Sequence, residues 1–452
     1  MTDIKLDEQA GPADEPNNGV PVAAAVPVEG GIVDHARTYL QRVRGGDMGS
    51  LPAIVGLIVL SVFFWAVHPS FGSLGNFANL TQQAASSIFI AMGLVFVLLL
   101  GEIDLAAGTA AGVCAAIMAR LSVGYGWGWP ASIAAAMVTG IVIGLITGWL
   151  CAKIRIPSFV VTLALFLAFQ GVVLYVVNNG KGPRGNLSIT DNFINGLDNG
   201  QMANWAGWLI VATLVLGYAA VKLQGAQARA RAGLLAEPYS LVAIKVGALA
   251  VVSVLAVYLL NKDRATNRTP SVANVGGKLV RVTPPALDGV PWVVPLVLFF
   301  FVVLTFVLTR TRYGRHVYAV GGNAEAARRA GIAVDRIRIS VFVINSFLAS
   351  IGGILLASQV RSVDQNEGGG NVLLLAVGAA VIGGTSLFGG KGRPFDAIIG
   401  GLVVAVIANG MADLVQGYNG PAVQYIVTGA VLMLAAAIDA LARRRAGSSG
   451  LG

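Results

Sequence analysis

Charged side chains are scarce in this sequence, where Asp, Glu, Lys and Arg make up only 12% of 452 residues. Soluble proteins carry roughly 25%, so an ordinary soluble domain is excluded. Hydrophobic residues reach 56% and form long runs, close to the roughly 20 residues that a membrane-spanning helix needs. The runs do not alternate with polar residues, as the strands of a transmembrane β-barrel would. The composition therefore predicts an all-α polytopic integral membrane protein.

Cysteine and histidine are also rare, with two and three copies. Cys114 and Cys151 lie in or beside apolar runs and form no C-x-x-C pair, while His35, His68 and His316 are far apart. These positions predict neither a disulfide framework nor a metal site. Walker A, G-x-S-x-G and H-E-x-x-H motifs are missing as well. No catalytic or ATP-binding site is therefore predicted in this chain.

A secretory signal peptide is not predicted at the start of the chain. Residues 1–31 hold six acidic residues and one lysine, the reverse of the basic segment that opens such a peptide. Residues 1–50, rich in Pro, Gly and acidic residues, are predicted to be a disordered cytoplasmic tail. Residues 51–441 form the predicted transmembrane domain, and 442–452 a second cytoplasmic tail.

Apolar runs that qualify as membrane spans occur at twelve places, of which 205–222 and 240–260 are the weakest, so 10–12 spanning helices are predicted. The others lie at roughly 51–67, 84–100, 105–122, 130–150, 157–178, 291–309, 339–358, 370–388, 396–413 and 420–441. Most Lys and Arg residues fall on one side of the membrane if both termini are cytoplasmic. The basic cluster at 261–290 is the exception, although loops of that length translocate despite their charge. This topology explains the net charge of +9, so no nucleic-acid partner is predicted.

An arginine-rich segment, 310–338, joins two of the apolar runs and encodes a short helix. Asn323 can cap its first turn, Glu325 and Arg328 suit its two dipole ends, and Gly331 can end it in the left-handed conformation. Helices shorter than ~12 residues are marginal in water, so we expect a partner to hold this one. The alternative is a positive-inside anchor that binds nothing.

Two carboxylates, Glu102 and Asp104, interrupt an otherwise apolar stretch from Ser86 to Leu121. A charge at membrane depth costs about 2.5 kcal/mol or more. The segment is therefore either a tight cytoplasmic turn with solvated carboxylates or a broken helix whose irregular backbone lines a transport pathway. Residues two apart point to nearly opposite sides of a helix, so no shared-proton pair is predicted.

Amide side chains are the other polar groups in or beside the runs. They can hydrogen-bond a polar solute, although helix capping and interhelix bonds are the more frequent role. Together with Glu102 and Asp104, they are the candidate pathway residues: Asn79, Gln82, Gln83, Asn345 and Asn409. The Gly-rich segment 381–395 does not have the spacing of a phosphate-binding loop and predicts a flexible or tightly packed turn.

Several motifs, in order, resemble the permease subunits of bacterial ABC importers for monosaccharides, of the ribose and xylose type. They are N-L-x-Q at 79–82, G-E-I-D-L-x-x-G at 101–108, TRYGRHVYAVGGNAEAARRAGI at 311–332, G-G-T-S-L-x-G-G-x-G at 383–392 and N-G at 409–410. Two departures are Ala106, where the family usually has serine, and the central segment 181–290. That segment is longer than in ribose-type permeases and is most similar to the xylose branch.

The resemblance implies the permease subunit of an importer for xylose or a related pentose in the bacterial inner membrane. An extracytoplasmic sugar-binding protein would deliver the sugar, two permease copies would form the path, and cytoplasmic ATPase subunits would use ATP and Mg. This chain would be no enzyme and would bind no cofactor. The helix in 310–338 would be the coupling helix that docks on the ATPase, through Gly322, Asn323, Glu325, Ala326, Ala327, Arg328 and Gly331.

Other functions remain open at this stage. A permease of the same family could import branched-chain amino acids. A secondary carrier from another class could act alone, with Glu102 or Asp104 as the carboxylate that couples transport to an ion. A membrane enzyme is a more remote alternative, because no catalytic group of residues is found.

Overall fold

The computed structural model describes residues 49–232, 238–265, 271–275, 278–282, 286–414 and 422–431, together with 433, 434 and 437. The predicted tails 1–50 and 442–452 lie outside the described residues, except for Gly49 and Ser50. Most of what is described is helical. In chain order the helices are α1 (Leu51–Val67), α2 (Leu74–Leu99), α3 (Ala107–Ala119), α4 (Trp129–Trp149), α5 (Ser158–Asn178), α6 (Asn192–Asn199), α7 (Asn204–Arg231), α8 (Tyr239–Leu260), α9 (Val293–Arg310), α10 (Arg312–Gly322), α11 (Ala324–Arg329), α12 (Val334–Val360), α13 (Gly370–Ile382), α14 (Pro394–Leu414) and α15 (Ala422–Val431).

The predicted all-α membrane architecture is confirmed. Within the described residues, nine helices are long and apolar enough to cross a membrane, with α3 and α4 extended by π-helical turns at Arg120–Gly124 and Leu150–Ile154. Three shorter apolar helices, α1, α13 and α15, bring the set to the twelve predicted runs. The two weakest runs, 205–222 and 240–260, correspond to the long helices α7 and α8.

Helices α2 and α12 form the centre of the fold. In their most apolar stretches 83% of α2 and 67% of α12 is buried, against 11% for each of α7 and α8. Helix α12 packs against α2, α3 and α4, while α14 and α13 also pack against α2. The exposed apolar faces of α7 and α8 suit lipid, which is as apolar as the side chains themselves.

Small residues bring α4 close to α12, as expected from its glycines. A Cβ atom on Gly140 would lie 2.7 Å from the Ser346 carbonyl oxygen, and one on Gly144 would lie 2.6 Å from that of Phe342. Residues four apart share one face of a helix, so this glycine face allows the two backbones to approach closely.

Two small antiparallel sheets were not expected from the sequence. Strand β1 (Asn186–Ser188) pairs with β4 (Ser362–Asp364), and β2 (Ser271–Val275) pairs with β3 (Lys278–Val282). Both lie in loops that the charge distribution assigns to the outside. Strands of three to five residues are too short to show a reliable alternating pattern.

Several predicted boundaries were wrong. The run predicted at 84–100 belongs to a helix that begins at Leu74, where Ser73 Oγ accepts a hydrogen bond from the Asn76 backbone N–H at 3.2 Å. Polar residues fill the first turns of this helix, and hydropathy does not detect them. The run predicted at 370–388 stops being helical at Ile382, because a glycine-rich turn follows.

Candidate functional site

The short helix in the arginine-rich segment is present as α11. Asn323 Oδ1 accepts a hydrogen bond from the Ala326 N–H at 2.9 Å, which is the predicted cap. Glu325 forms ion pairs with Arg328 at 3.0 Å and Arg329 at 3.4 Å. Gly331 has a φ of +82°, as expected for a residue that ends a helix.

A second helix, α10, precedes α11 and was missed. Thr311 Oγ1 accepts a hydrogen bond from the Gly314 N–H at 3.2 Å, and Val317 and Val320 are buried. The apolar positions Tyr313, Val317 and Val320, spaced by four and three, are the pattern that predicts such a helix. The prediction for this segment rested on its seven arginines and did not use this apolar pattern.

Part of the support for α11 comes from this chain itself. Ala327 is only 4% exposed, and its carbonyl oxygen accepts a hydrogen bond from the Ile332 N–H at 3.0 Å. The opposite face is open to solvent, because Glu325, Ala326 and Arg328 are exposed. The helix therefore has one face packed on its own protein and one face free for another molecule.

Two of the sequence motifs, 311–332 and 383–392, meet at the end of α2. The Gly390 N–H donates a hydrogen bond to the Leu99 carbonyl oxygen at 2.9 Å, and the Tyr318 hydroxyl donates to the Gly392 carbonyl oxygen at 2.8 Å. A Cβ atom on Gly321 would overlap the same Leu99 oxygen. The glycine-rich segment is thus a tightly packed turn, one of the two predicted alternatives, and it joins α10 to the end of α2.

The turn between α2 and α3 has an irregular backbone and a buried carboxylate. Asp104 is 3% exposed and accepts hydrogen bonds from the Ala106 N–H at 2.8 Å and from Asn345 Nδ2 at 2.6 Å. Burial raises the pKa of Asp104 to about 6, and these hydrogen bonds oppose the rise. Of the two alternatives for this segment, a solvated carboxylate does not describe Asp104, which is buried and accepts a hydrogen bond from another candidate pathway residue, Asn345.

The neighbouring carboxylate, Glu102, is half-buried and paired. Its Oε1 lies 2.8 Å from Nη2 of Arg338 on α12, and the two side chains are 15% and 26% exposed. The pair borders a crevice of about 350 Å³ that Cys151, Arg155 and Arg328 also line. Arg338 was counted only as a charge of the cytoplasmic loop, although its place seven residues before Asn345 puts both on one face of a helix.

The α2–α3 turn is also held from α5. Ser158 Oγ accepts a hydrogen bond from the Ile103 N–H at 3.2 Å, and the Thr162 hydroxyl donates to the Ile103 carbonyl oxygen at 3.3 Å. The turn therefore contacts α5 through its backbone and α12 through its side chains.

The other candidate pathway residues lie towards the outer half. Gln82 Nε2 donates a hydrogen bond to the Asp198 carbonyl oxygen at 2.6 Å, while Asn409 Nδ2 donates to Gln83 Oε1 at 3.4 Å, and Asn79 is exposed. The structure thus forms an inner group (Glu102, Asp104, Asn345) and an outer group (Gln82, Gln83, Asn409). Their role in a pathway stays a prediction.

Comparison with known proteins decides the family. A family model described as the branched-chain amino acid transport system / permease component matches residues 76–436. The chain belongs to this permease family. The permease is similar to the xylose transport system permease XylH of Escherichia coli K12, with 32% identity over 95% of this chain and 99% of the relative. No solved structure matches.

Two further relatives support the ribose and xylose type. XylH of Haemophilus influenzae Rd is 30% identical over 84% of this chain and 93% of its own length. The ribose import permease RbsC of E. coli K12 is 28% identical over 86% of this chain and 92% of its own length. With its apolar helices, the permease is therefore a multi-pass protein of the bacterial inner membrane and a subunit of an ABC transporter.

Proposed function

We propose that this permease is the membrane subunit of an ATP-driven importer for xylose or a closely related pentose. The observation that carries the proposal is the similarity to XylH over 99% of that protein's length, which includes the long central segment 181–290. This segment is the part of the chain whose length resembles the xylose branch rather than ribose-type permeases. The branched-chain amino acid alternative has the family description in its favour, but the relatives named above carry sugar names.

The division of labour follows from the two faces of α11. The face with Ala326 and Arg328 is free to dock on a cytoplasmic ATPase subunit, which binds ATP and Mg, while this chain supplies no ATPase site. An extracytoplasmic binding protein delivers the sugar, and a second copy of the permease completes the path. No group of three or more His, Cys, Asp or Glu residues that could hold a metal is found in the described part of the chain.

Helices α10 and α11 move as one unit and pass the movement of the ATPase on to the membrane helices. Tyr313 Oη lies 2.9 Å from Ser340 Oγ of α12, and Gly321 touches Leu99 at the end of α2. When the ATPase subunits close, a push on α11 therefore reaches both central helices. Tilting of α2 and α12 would then bias the permease between outward-open and inward-open states.

The test is uptake by proteoliposomes that hold the permease, with and without its ATPase and binding protein, with xylose and leucine offered separately. Ala326→Asp places a charge on the exposed face of α11 and should abolish ATP-dependent uptake. Ala327→Asp is unsuitable, because Ala327 is buried. Ala228→Asp, on the exposed cytoplasmic end of α7, is the matched control and should leave uptake unchanged.

Each result discriminates between functions. Xylose uptake that requires the ATPase and fails with Ala326→Asp supports the proposal. Leucine uptake without xylose uptake favours the amino acid alternative. Uptake that proceeds without any ATPase contradicts the importer and returns attention to an ion-coupled carrier.

A further inference from the structure

Two residues of α12 contact the α2–α3 turn from one helix face. Arg338 and Asn345 are seven residues apart, about two helical turns. Arg338 Nη2 lies 2.8 Å from Glu102 Oε1, and Asn345 Nδ2 donates to Asp104 Oδ2 at 2.6 Å. Because α12 begins at Val334, shortly after α11 ends at Arg329, the Arg338 contact lies close to the surface that would receive the push. The Asn345 contact lies about two turns further along the same helix.

We propose that these two contacts, Glu102–Arg338 and Asp104–Asn345, transmit the movement of α11 and α12 to the α2–α3 turn during import. They are called the turn–helix link below. Its four residues are positioning residues, which act on the path through the turn rather than by touching the sugar. The inference rests on the proposed function, because it requires an ATPase that drives the movement.

Burial makes the link suited to carry a displacement. Asn345 is 0% and Asp104 3% exposed, so water cannot readily replace either partner. Hydrogen bonds to a charged group are the stronger ones, and a buried partner left unpaired is costly. When α12 moves, separating the pairs costs more free energy than moving the turn with the helix.

The residues around the turn–helix link restrict its movement. A Cβ atom on Gly93 of α2 would lie 2.6 Å from Asn345 Oδ1, so α2 and α12 are in direct contact there. The turn is hydrogen-bonded to Ser158 and Thr162 of α5 through Ile103. A shift of α12 relative to α5 therefore reorients the turn and, with it, the start of α3, which is continuous with the turn.

A second ion pair, of which Asp335 lines the same crevice, provides a contrast. Lys153 Nζ lies 3.4 Å from Asp335 Oδ2, with side chains 55% and 32% exposed. Exposed pairs of this kind contribute little, because water screens them. Asp335 is on α12, three residues before Arg338. The Lys153–Asp335 pair therefore tests whether any ion pair at the start of α12 is needed for import or only the less exposed Glu102–Arg338 pair.

The experiment measures ATP hydrolysis and xylose uptake together in proteoliposomes that hold the complete transporter and its binding protein. The variants are Glu102→Gln, Arg338→Glu, the exchange of both residues (Glu102→Arg with Arg338→Glu), and Lys153→Gln as the control. Glu102→Gln should lower the sugar imported per ATP by about tenfold or more, the loss expected for a charge-assisted bond. ATP hydrolysis should stay within about twofold of wild type, because the docking face of α11 is unchanged.

The exchange separates transmission from simple misfolding. It restores opposite charges at both positions and should recover most of the lost sugar per ATP, while Arg338→Lys should show a smaller loss than Arg338→Glu. Lys153→Gln should match wild type. If both single variants keep the wild-type yield, or if hydrolysis and uptake fall together and the exchange restores neither, the inference is wrong. Wild-type uptake that persists when ATP is left out of the same assay would instead contradict the proposed function.

Discussion

The contact between Gly321 and the end of α2 leads to a sharp prediction. A Cβ atom at Gly321 would overlap the Leu99 carbonyl oxygen and would lie 2.9 Å from the Leu99 carbonyl carbon. Both are backbone atoms, so no side chain can rotate away, and α10 and α2 must separate. Gly321→Ala is the smallest change that adds this atom, and Gly322→Ala is its control, since a Cβ there meets nothing within 4 Å.

The magnitude follows from two losses. Forcing an extra carbon into a packed contact costs about 1–3 kcal/mol. The same Leu99 oxygen accepts a hydrogen bond from the Gly390 N–H at 2.9 Å, and the added Cβ atom would lie 3.3 Å from that nitrogen. Loss of this hydrogen bond costs about 0.5–1.5 kcal/mol. The better helix propensity of alanine offsets up to about 1 kcal/mol. Gly321→Ala should therefore destabilise the permease by roughly 0.5–4.5 kcal/mol in total, while Gly322→Ala should be neutral or slightly stabilising.

The assay is thermal unfolding of both purified variants in the same detergent, followed by ATP hydrolysis after assembly with the ATPase. We expect a lower Tm for Gly321→Ala and not for Gly322→Ala. Hydrolysis should also be weaker for Gly321→Ala, because its α10 no longer rests on α2. Equal Tm values for the two variants would refute the close contact and, with it, the route from α10 to α2.

Three further predictions concern other parts of the fold. Asn323→Ala removes the cap of α11, which is worth about 1 kcal/mol, so amide hydrogen exchange in Ala324–Arg329 should become about fivefold faster. Asn323→Asp keeps a capping oxygen and should keep the wild-type exchange rate. Wild-type exchange in both variants would rule out the cap. Gly144→Ala places a Cβ atom 2.6 Å from the Phe342 carbonyl oxygen and should lower the Tm by an amount equivalent to about 1–3 kcal/mol. Gly171→Ala on α5 is the control and should leave the Tm unchanged, because the space there is open. Equal Tm values for the two variants would argue against tight packing of α4 on α12. Burial raises the pKa of Asp198 to about 7, so the folded permease holds this proton more tightly than the unfolded chain does. The free energy of unfolding should therefore fall by up to about 4 kcal/mol as pH rises from about 4 to about 7. Asp198→Asn should remove most of that pH dependence of the Tm, and an unchanged profile would show that Asp198 is ionised in the fold.

Much of the helical framework follows from hydropathy, because a bilayer requires each span to be a long apolar run. The twelve predicted runs therefore coincide with apolar helices within the described residues. Helix boundaries were predicted less well where helix capping or a glycine turn, rather than hydropathy, determines where the helix begins or ends. Helix α2 begins at Leu74, in a polar stretch that Ser73 caps, and α13 ends early because glycines favour a turn.

The site was predictable only where the interactions are local. The Asn323 cap and the Glu325–Arg328 pair span three residues, and the sequence shows both. The bond between Asn345 and Asp104 joins positions 241 residues apart, and no pattern within one helix encodes it. Arg338 was predicted to be one of several cytoplasmic charges, and only its packing against Glu102 shows that it has a specific partner.

The packing of Ala327 on its own chain has a consequence for how the complex assembles. A segment that folds only on contact must lose its conformational entropy at that moment, and this loss weakens binding. Helix α11 has a capped first turn, internal ion pairs and a buried face in the permease alone, so it is preorganised for a partner. An ATPase subunit that docks there need not order the segment first. Contacts at this surface can then break and form again in every transport cycle without any refolding of the permease.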